Sequence, residues 1–268
     1  REEHRAQAAA VVEPLLRDQG RYDDLVRLIN RKIDGMLDPM ERRAELVRLA
    51  EIEEHGRRDK FAAFEALSRA LAGDTPDEFV QEELERLARE LASWSKFFAV
   101  LMDRAAKLPD PRDAALLFRR AGRVAEEELV DDARAIEAYR SASAADDDAD
   151  ESLIALDRLY EKTQQWELLV EVLERRVSSD VSGADRNELL VRLGYLRGQR
   201  CSDPRGAFAA YKEVLDNDPG DQSALAGMQL LGERDALVSD VLEVLEVCYR
   251  ETNAVEKVVE LFELRSRL

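Results

Sequence analysis

Along this chain apolar residues recur at helical spacing in stretch after stretch, with charged residues filling the positions between. Leu153, Leu156, Leu159 and Tyr160 fall on one face of a helix. Trp166, Leu169, Val170, Val172 and Leu173 do the same for a second helix just beyond a polar break. Neither stripe can be sheltered by its own helix, so each needs a neighbour. Read this way, the pattern predicts about fifteen helices, near residues 3–19, 22–34, 39–56, 59–72, 76–91, 94–107, 111–128, 131–144, 149–162, 166–178, 184–200, 204–216, 221–232, 236–251 and 254–267. The breaks are short, which makes successive helices antiparallel neighbours. No run alternates as a strand would.

The pattern repeats itself. Tyr22, Trp94 and Trp166 follow one another at a constant interval, and after them run Leu25-Val26, Phe97-Phe98 and Leu169-Val170. The same interval relates Leu46, Phe118 and Leu190, and again Leu67, Tyr139 and Tyr211. Polar positions keep the register: Asp59, Asp131 and Asp203, then Asp74, Asp146 and Asp218, while Asp38 and Asp110 match Ser182. Each is expected to cap a helix N-terminus by accepting a backbone N–H. Double repeats are therefore expected at about 22–93, 94–165 and 166–237. A fourth copy begins at Val255, whereas the interval would have started it at Val238, and this delay predicts one extra helix near 221–232. The opening VVEPLLRDQGRYDDLVRLINRK resembles the closing VLEVLEVCYRETNAVEKVVELFELR, which suggests a longer repeat superimposed on the shorter one. With no Ser/Gly linker to break the run, residues 1–268 read as a single solenoid segment, expected to belong to a longer protein.

Composition narrows the function classes. A 45% hydrophobic content is too high for a disordered acidic chain, and scarce Gly and Pro with 37% charge suit helices. The net charge of −18 argues against broad nucleic-acid or anionic-membrane binding. No apolar run approaches the ~20 residues of a membrane span. Cys201 and Cys248 are too few and too isolated for a disulfide framework. They suit a reducing compartment, so a cytoplasmic setting is favoured without being fixed. Arg outnumbers Lys, which points to a GC-rich bacterial genome.

Leu193-Gly194, Ala207, Tyr211, Val214 and Pro219 resemble the tetratricopeptide repeat signature, with one extra residue between Gly194 and Ala207. Ala121-Gly122, Ala135, Tyr139 and Ala142 repeat it without the Pro, and Leu49-Ala50, Ala63, Leu67 and Ala70 replace the Gly. The resemblance implies an all-α, right-handed superhelix of antiparallel helix pairs, with HEAT-like repeats as the alternative. It also implies a concave surface lined by the first helix of each pair. By register that surface carries Arg86, Arg89, Arg119, Arg123, Arg158, Lys162 and Tyr195, with Glu51, Glu54 and Glu188 flanking them. A basic stripe within so acidic a chain suits an acidic peptide, because guanidinium forks pair with carboxylates. The opposing expectation is that Glu82, Glu90, Glu126 and Glu161 neutralise these cations as exposed i,i+4 pairs.

Nothing in the sequence points to catalysis. Of the two histidines, His4 stands alone and His55 has Glu51 one turn away, with no third ligand. Asp146 to Asp148 with Asp150 lacks the Gly and bidentate Glu of a calcium loop. Phosphate loops and nucleophile elbows are missing too. The expectation is a non-enzymatic scaffold without cofactors that holds a protein or acidic peptide on its concave face. The alternative is an architectural spacer, or an element that self-assembles end to end.

Overall fold

A computed structural model of the chain describes residues 11–71, 77–146, 150–179, 183–232 and 238–265. His4, Asp74, Asp147, Asp148, Ser182 and Leu268 lie outside them. Every described element is helical. The helices are α1 (11–18), α2 (Tyr22–Asp34), α3 (Pro39–Glu51), α4 (Lys60–Ala70), α5 (Glu78–Glu90), α6 (Trp94–Ala105), α7 (Pro111–Glu127) and α8 (Asp132–Ala145). Then come α9 (Asp150–Lys162), α10 (Trp166–Ser178), α11 (Ala184–Gln199), α12 (Pro204–Asn217), α13 (Gln222–Gly232), α14 (Val238–Glu251) and α15 (Val255–Arg265). A π-helical turn, Ile52–Gly56, continues α3. The chain divides into two compact units, residues 1–152 and 153–268. In each, helices joined by short turns run antiparallel and stack.

The repeat register is physical. Leu25, Phe97 and Leu169 are fully buried, as are Ile29, Leu101 and Leu173. Tyr22, Trp94 and Trp166 each open a helix and are each half-buried. Trp166 lies 5.0 Å under the Arg200 guanidinium. At the register-equivalent place Tyr22 covers Gly56, where an added Cβ would come 2.5 Å from the ring.

Small residues let the paired helices approach. A Cβ on Gly122 would come 2.7 Å from the Tyr139 ring, and one on Gly194 equally close to Tyr211. In the first copy the same places hold Ala50 and Leu67, a smaller partner making room for the methyl. Burial pushes the Tyr211 phenol up to about 12.

The corners repeat too. Gly20, Ala92 and Gln164 have φ of 67°, 48° and 57°, and Asn253, at the same place in the fourth copy, has 55°. Each is followed by a residue whose N–H reaches five positions back: Arg21 to Leu16, Ser93 to Ala88, Gln165 to Tyr160, Ala254 to Tyr249. A second corner has Arg58, Val130 and Ser202 at φ 57°, 51° and 55°. There Asp59, Asp131 and Asp203 donate N–H six positions back and cap the next helix with their carboxylates.

Asp38 and Asp110 cap α3 and α7 ahead of a first-turn Pro, as expected. Asp218 does not act as an N-cap but sits at the C-terminal end of α12; Asp146 sits at the end of α8, with residues 147–149 outside those described. Asp77 caps α5 instead, and Asp221 accepts from the Ala224 N–H at the start of α13.

A salt bridge that recurs in register crosses between successive first helices. Arg48 pairs with Glu13, Arg120 with Glu85 at 2.6 Å, and Arg192 with Asp157 at 2.7 Å. Both members of the pair advance together by the repeat interval. The anion at the third step is the most enclosed, and Arg176 pairs with it as well.

Candidate functional site

The predicted basic positions lie on first helices: Arg86 and Arg89 on α5, Arg119 and Arg123 on α7, Arg158 and Lys162 on α9, Tyr195 on α11. Their surroundings differ sharply. Arg86 is enclosed by three carboxylates, Glu54 at 2.6 Å, Glu83 at 2.8 Å and Glu90 at 2.9 Å. The hydrogen bond from Arg86 holds the Glu54 carboxyl below its ordinary range, and the same contact raises the guanidinium. Glu90 is shared with Lys60 at 2.6 Å. Arg86 is therefore a cross-brace between neighbouring helices. Its strongest partner, Glu54, sits in the π-helical turn, far along the chain and beyond the reach of i,i+4 reasoning.

Arg89 is different. Its side chain is 65% exposed and reaches Glu85 only at 3.3 Å, with the guanidinium 5.9 Å from the Trp94 ring. Glu85 is also the partner of Arg120, so one carboxylate serves two guanidiniums. Glu82, Glu85, Arg86, Arg89 and Arg120 line a shallow polar depression of about 240 Å³. Arg119 and Arg123 converge on Glu151 at 3.6 and 3.9 Å, Arg119 largely buried and Arg123 exposed. In the second unit Arg158, Lys162 and Tyr195 are exposed on α9 and α11.

A second surface was not singled out by sequence. Between α12 and α14 lies a groove of about 450 Å³, floored by Phe208, Leu215, Val244, Val247 and Cys248. Asp216, Asp240, Glu243 and Glu251 edge it, with Lys212. The signal was present: α14 buries Val241, Leu242, Leu245, Cys248 and Tyr249, yet Val244 and Val247 are also apolar. A helix apolar on more than one face needs more than one cover.

His55 and Glu51 are both exposed on the surface of the first unit. Among the described residues no cluster of three His, Cys, Asp or Glu is placed to hold a metal, and no helix is long and apolar enough to cross a membrane.

The glycine-against-tyrosine packing and the alternating corners make these hairpins tetratricopeptide-like. No protein-family profile and no curated protein matches the sequence. Among solved structures the chain is similar to the human IFIT1 dimer with m7Gppp-AAAA, at 14% identity over 98% of this chain and 68% of that one, TM-score 0.38. It is similar also to the C-terminal part of a TPR repeat-containing protein from Cytophaga hutchinsonii, at 14% identity over 81% and 93%, TM-score 0.35. A third is the TPR2AB domain of yeast Sti1 in complex with pHSP90, at 14% identity over 83% and 96%, TM-score 0.27. These likenesses are of helical architecture alone.

Proposed function

We propose that the chain is a non-enzymatic protein-binding scaffold, and that the face of α5 and α7 takes an acidic peptide. The observation that carries this reading is the division of Glu85 between Arg89 and Arg120. A guanidinium held by a long, exposed contact gains most from a fresh carboxylate, and a bidentate fork accepts it in one orientation. Arg123, exposed and 3.9 Å from its carboxylate, offers a second such point. Arg86 keeps its three carboxylates and serves as the frame. In the second unit the exposed Arg158, Lys162 and Tyr195 on α9 and α11 are the residues we assign to partner contact. Reversing both Arg89 and Arg123 to Glu should weaken capture of a labelled glutamate-rich peptide about tenfold or more. Equal affinity of the reversed and native chains would remove this reading.

A second reading, end-to-end self-assembly, rests on different residues. Val259 and Phe262 on α15 are 52% and 48% exposed. Their equivalents in the opening segment, Val26 and Ile29, are buried. Val11 and Leu15 on α1 are bare as well. Bare apolar faces of this kind favour association between copies. Concentration-dependent sedimentation that disappears in Phe262→Glu supports it, and a monomer at all concentrations rules it out.

A further inference from the structure

Phe64, Ile136 and Phe208 occupy one register position in successive copies. Phe64 and Ile136 are core residues at 2% and 8% exposure, whereas Phe208 is only half-buried and opens onto the α12–α14 groove. α12, α13 and α14 begin at Pro204, Gln222 and Val238, the same spacing as α4, α5 and α6, so helix spacing does not account for the difference. A position that the repeat elsewhere keeps in the core is thus left at the floor of an open channel.

The rim states what can cover it. Lys212 is the one cation among the lining residues, and it is held by Asp216 at 2.6 Å. Asp240, Glu243 and Glu251 line the groove without a further cation among its lining residues. On α14 the lining residues fall at 240, 243, 244, 247, 248 and 251, a single helical face. Acids stand at both ends of that face, and Val244, Val247 and Cys248 stand between them. Asp240 and Glu251 lie roughly 16 Å apart along the helix axis. Burial pushes the Cys248 thiol up, and Glu251 and Asp216 push it further, so the negative field reaches the floor.

We propose that the α12–α14 groove docks a basic amphipathic helix of a protein partner. Its aliphatic stripe lies on Phe208, Val244 and Val247, and its cations, spaced about three turns apart, meet Asp240 with Glu243 at one end and Glu251 at the other. The volume suits a few aliphatic side chains, and the rim carboxylates select positive over negative partners. This surface is separate from the α5–α7 face and prefers the opposite charge, so neither reading depends on the other.

The probe is a labelled four-turn synthetic helix with a leucine stripe and lysines at both ends, measured by fluorescence anisotropy against the intact chain. Two companions are needed: the same peptide with glutamate for lysine, and a scrambled peptide of the same composition. Binding of the first alone is expected. Val247→Glu and the double change Asp240→Lys/Glu243→Lys should each weaken it about tenfold or more. Glu65→Lys/Glu137→Lys, an equal charge change on exposed positions of the first unit, should change it less than about threefold. Arg89→Glu/Arg123→Glu should leave it intact. Val247 is already exposed and the rim acids lie outside the core, so unchanged circular dichroism is expected for all variants. Equal binding of the scrambled peptide, or equal loss in Glu65→Lys/Glu137→Lys, would reduce the effect to bulk charge and overturn the proposal. No binding of the lysine peptide would overturn it too, as would a self-associated chain whose dimer dissolves with Val247→Glu.

Discussion

The two units place the same aromatic residue in opposite circumstances. Phe64 on α4 is sealed, and nearby Lys96 on α6 lies 5.4 Å over the Phe61 ring, closing the outer side of that stack. Phe208 on α12 lies at the floor of the groove instead, although α13 and α14 follow it at the spacing at which α5 and α6 follow α4. One repeat sequence therefore makes a finished core in the first unit and an open channel in the second. The spacing of the helices is the same in both, but where the first unit has Phe61 and Lys96 the second has Arg205 and Asp240.

The comparison is broken most directly by truncating both phenylalanines. Phe64→Ala should cost about 3–5 kcal/mol, whereas Phe208→Ala should cost about 1 kcal/mol, because little packing is lost where little surrounds the ring. Chemical denaturation of each variant measures this, and equal losses would mean that Phe208 is as enclosed as Phe64. The bridging carboxylates give the next contrast. Asp157→Asn in the second unit should cost about 2–3 kcal/mol, since two arginines lose an enclosed anion. Glu85→Gln, at the same register in the first unit but a third exposed, should cost under about 1 kcal/mol.

Glycine-against-tyrosine packing is shared by both units and should fail in both. Gly122→Ala is expected to cost about 1–3 kcal/mol by overpacking. Pairing it with Tyr139→Leu, which recreates the Ala50 and Leu67 combination, should recover part of that loss in a double-mutant cycle. The smallest effect should be a gain. Val130 holds φ at 51° and is 77% exposed, an unfavourable place for a β-branched residue. Val130→Gly should therefore stabilise the chain by about 1 kcal/mol, read as a higher denaturation midpoint.

Much of this architecture is legible in the sequence. The helices, their order and their buried faces follow from apolar spacing, because burial is the same demand in every copy. Asp59, Asp131 and Asp203 are recognisable as caps from register and from the helix that follows each. Asp218 misleads: an aspartate just before a helix is also just after one, and only backbone geometry shows which end it serves. The corners at Ala92, Val130, Gln164 and Ser202 carry no glycine, so composition gives no hint of a left-handed backbone. Arg86, Arg89, Arg119 and Arg123 lie on α5 and α7, but the carboxylates that balance them are hidden from the sequence. Glu54 and Glu151 come from neighbouring helices, and pairing within one helix cannot foresee them. The α12–α14 groove escapes notice because a second apolar face on α14 looks, in a string of letters, like a more thoroughly buried helix.

The recurring bends have a consequence for how such a chain can age. Each is secured by main-chain atoms bonding to main-chain atoms, with glycine, alanine, valine, glutamine, arginine, serine and asparagine all serving at the pivot. Mutation can rewrite those letters one by one while the hairpins they join stay where they were. Ancestry is then kept in the spacing between residues long after it has faded from the residues themselves.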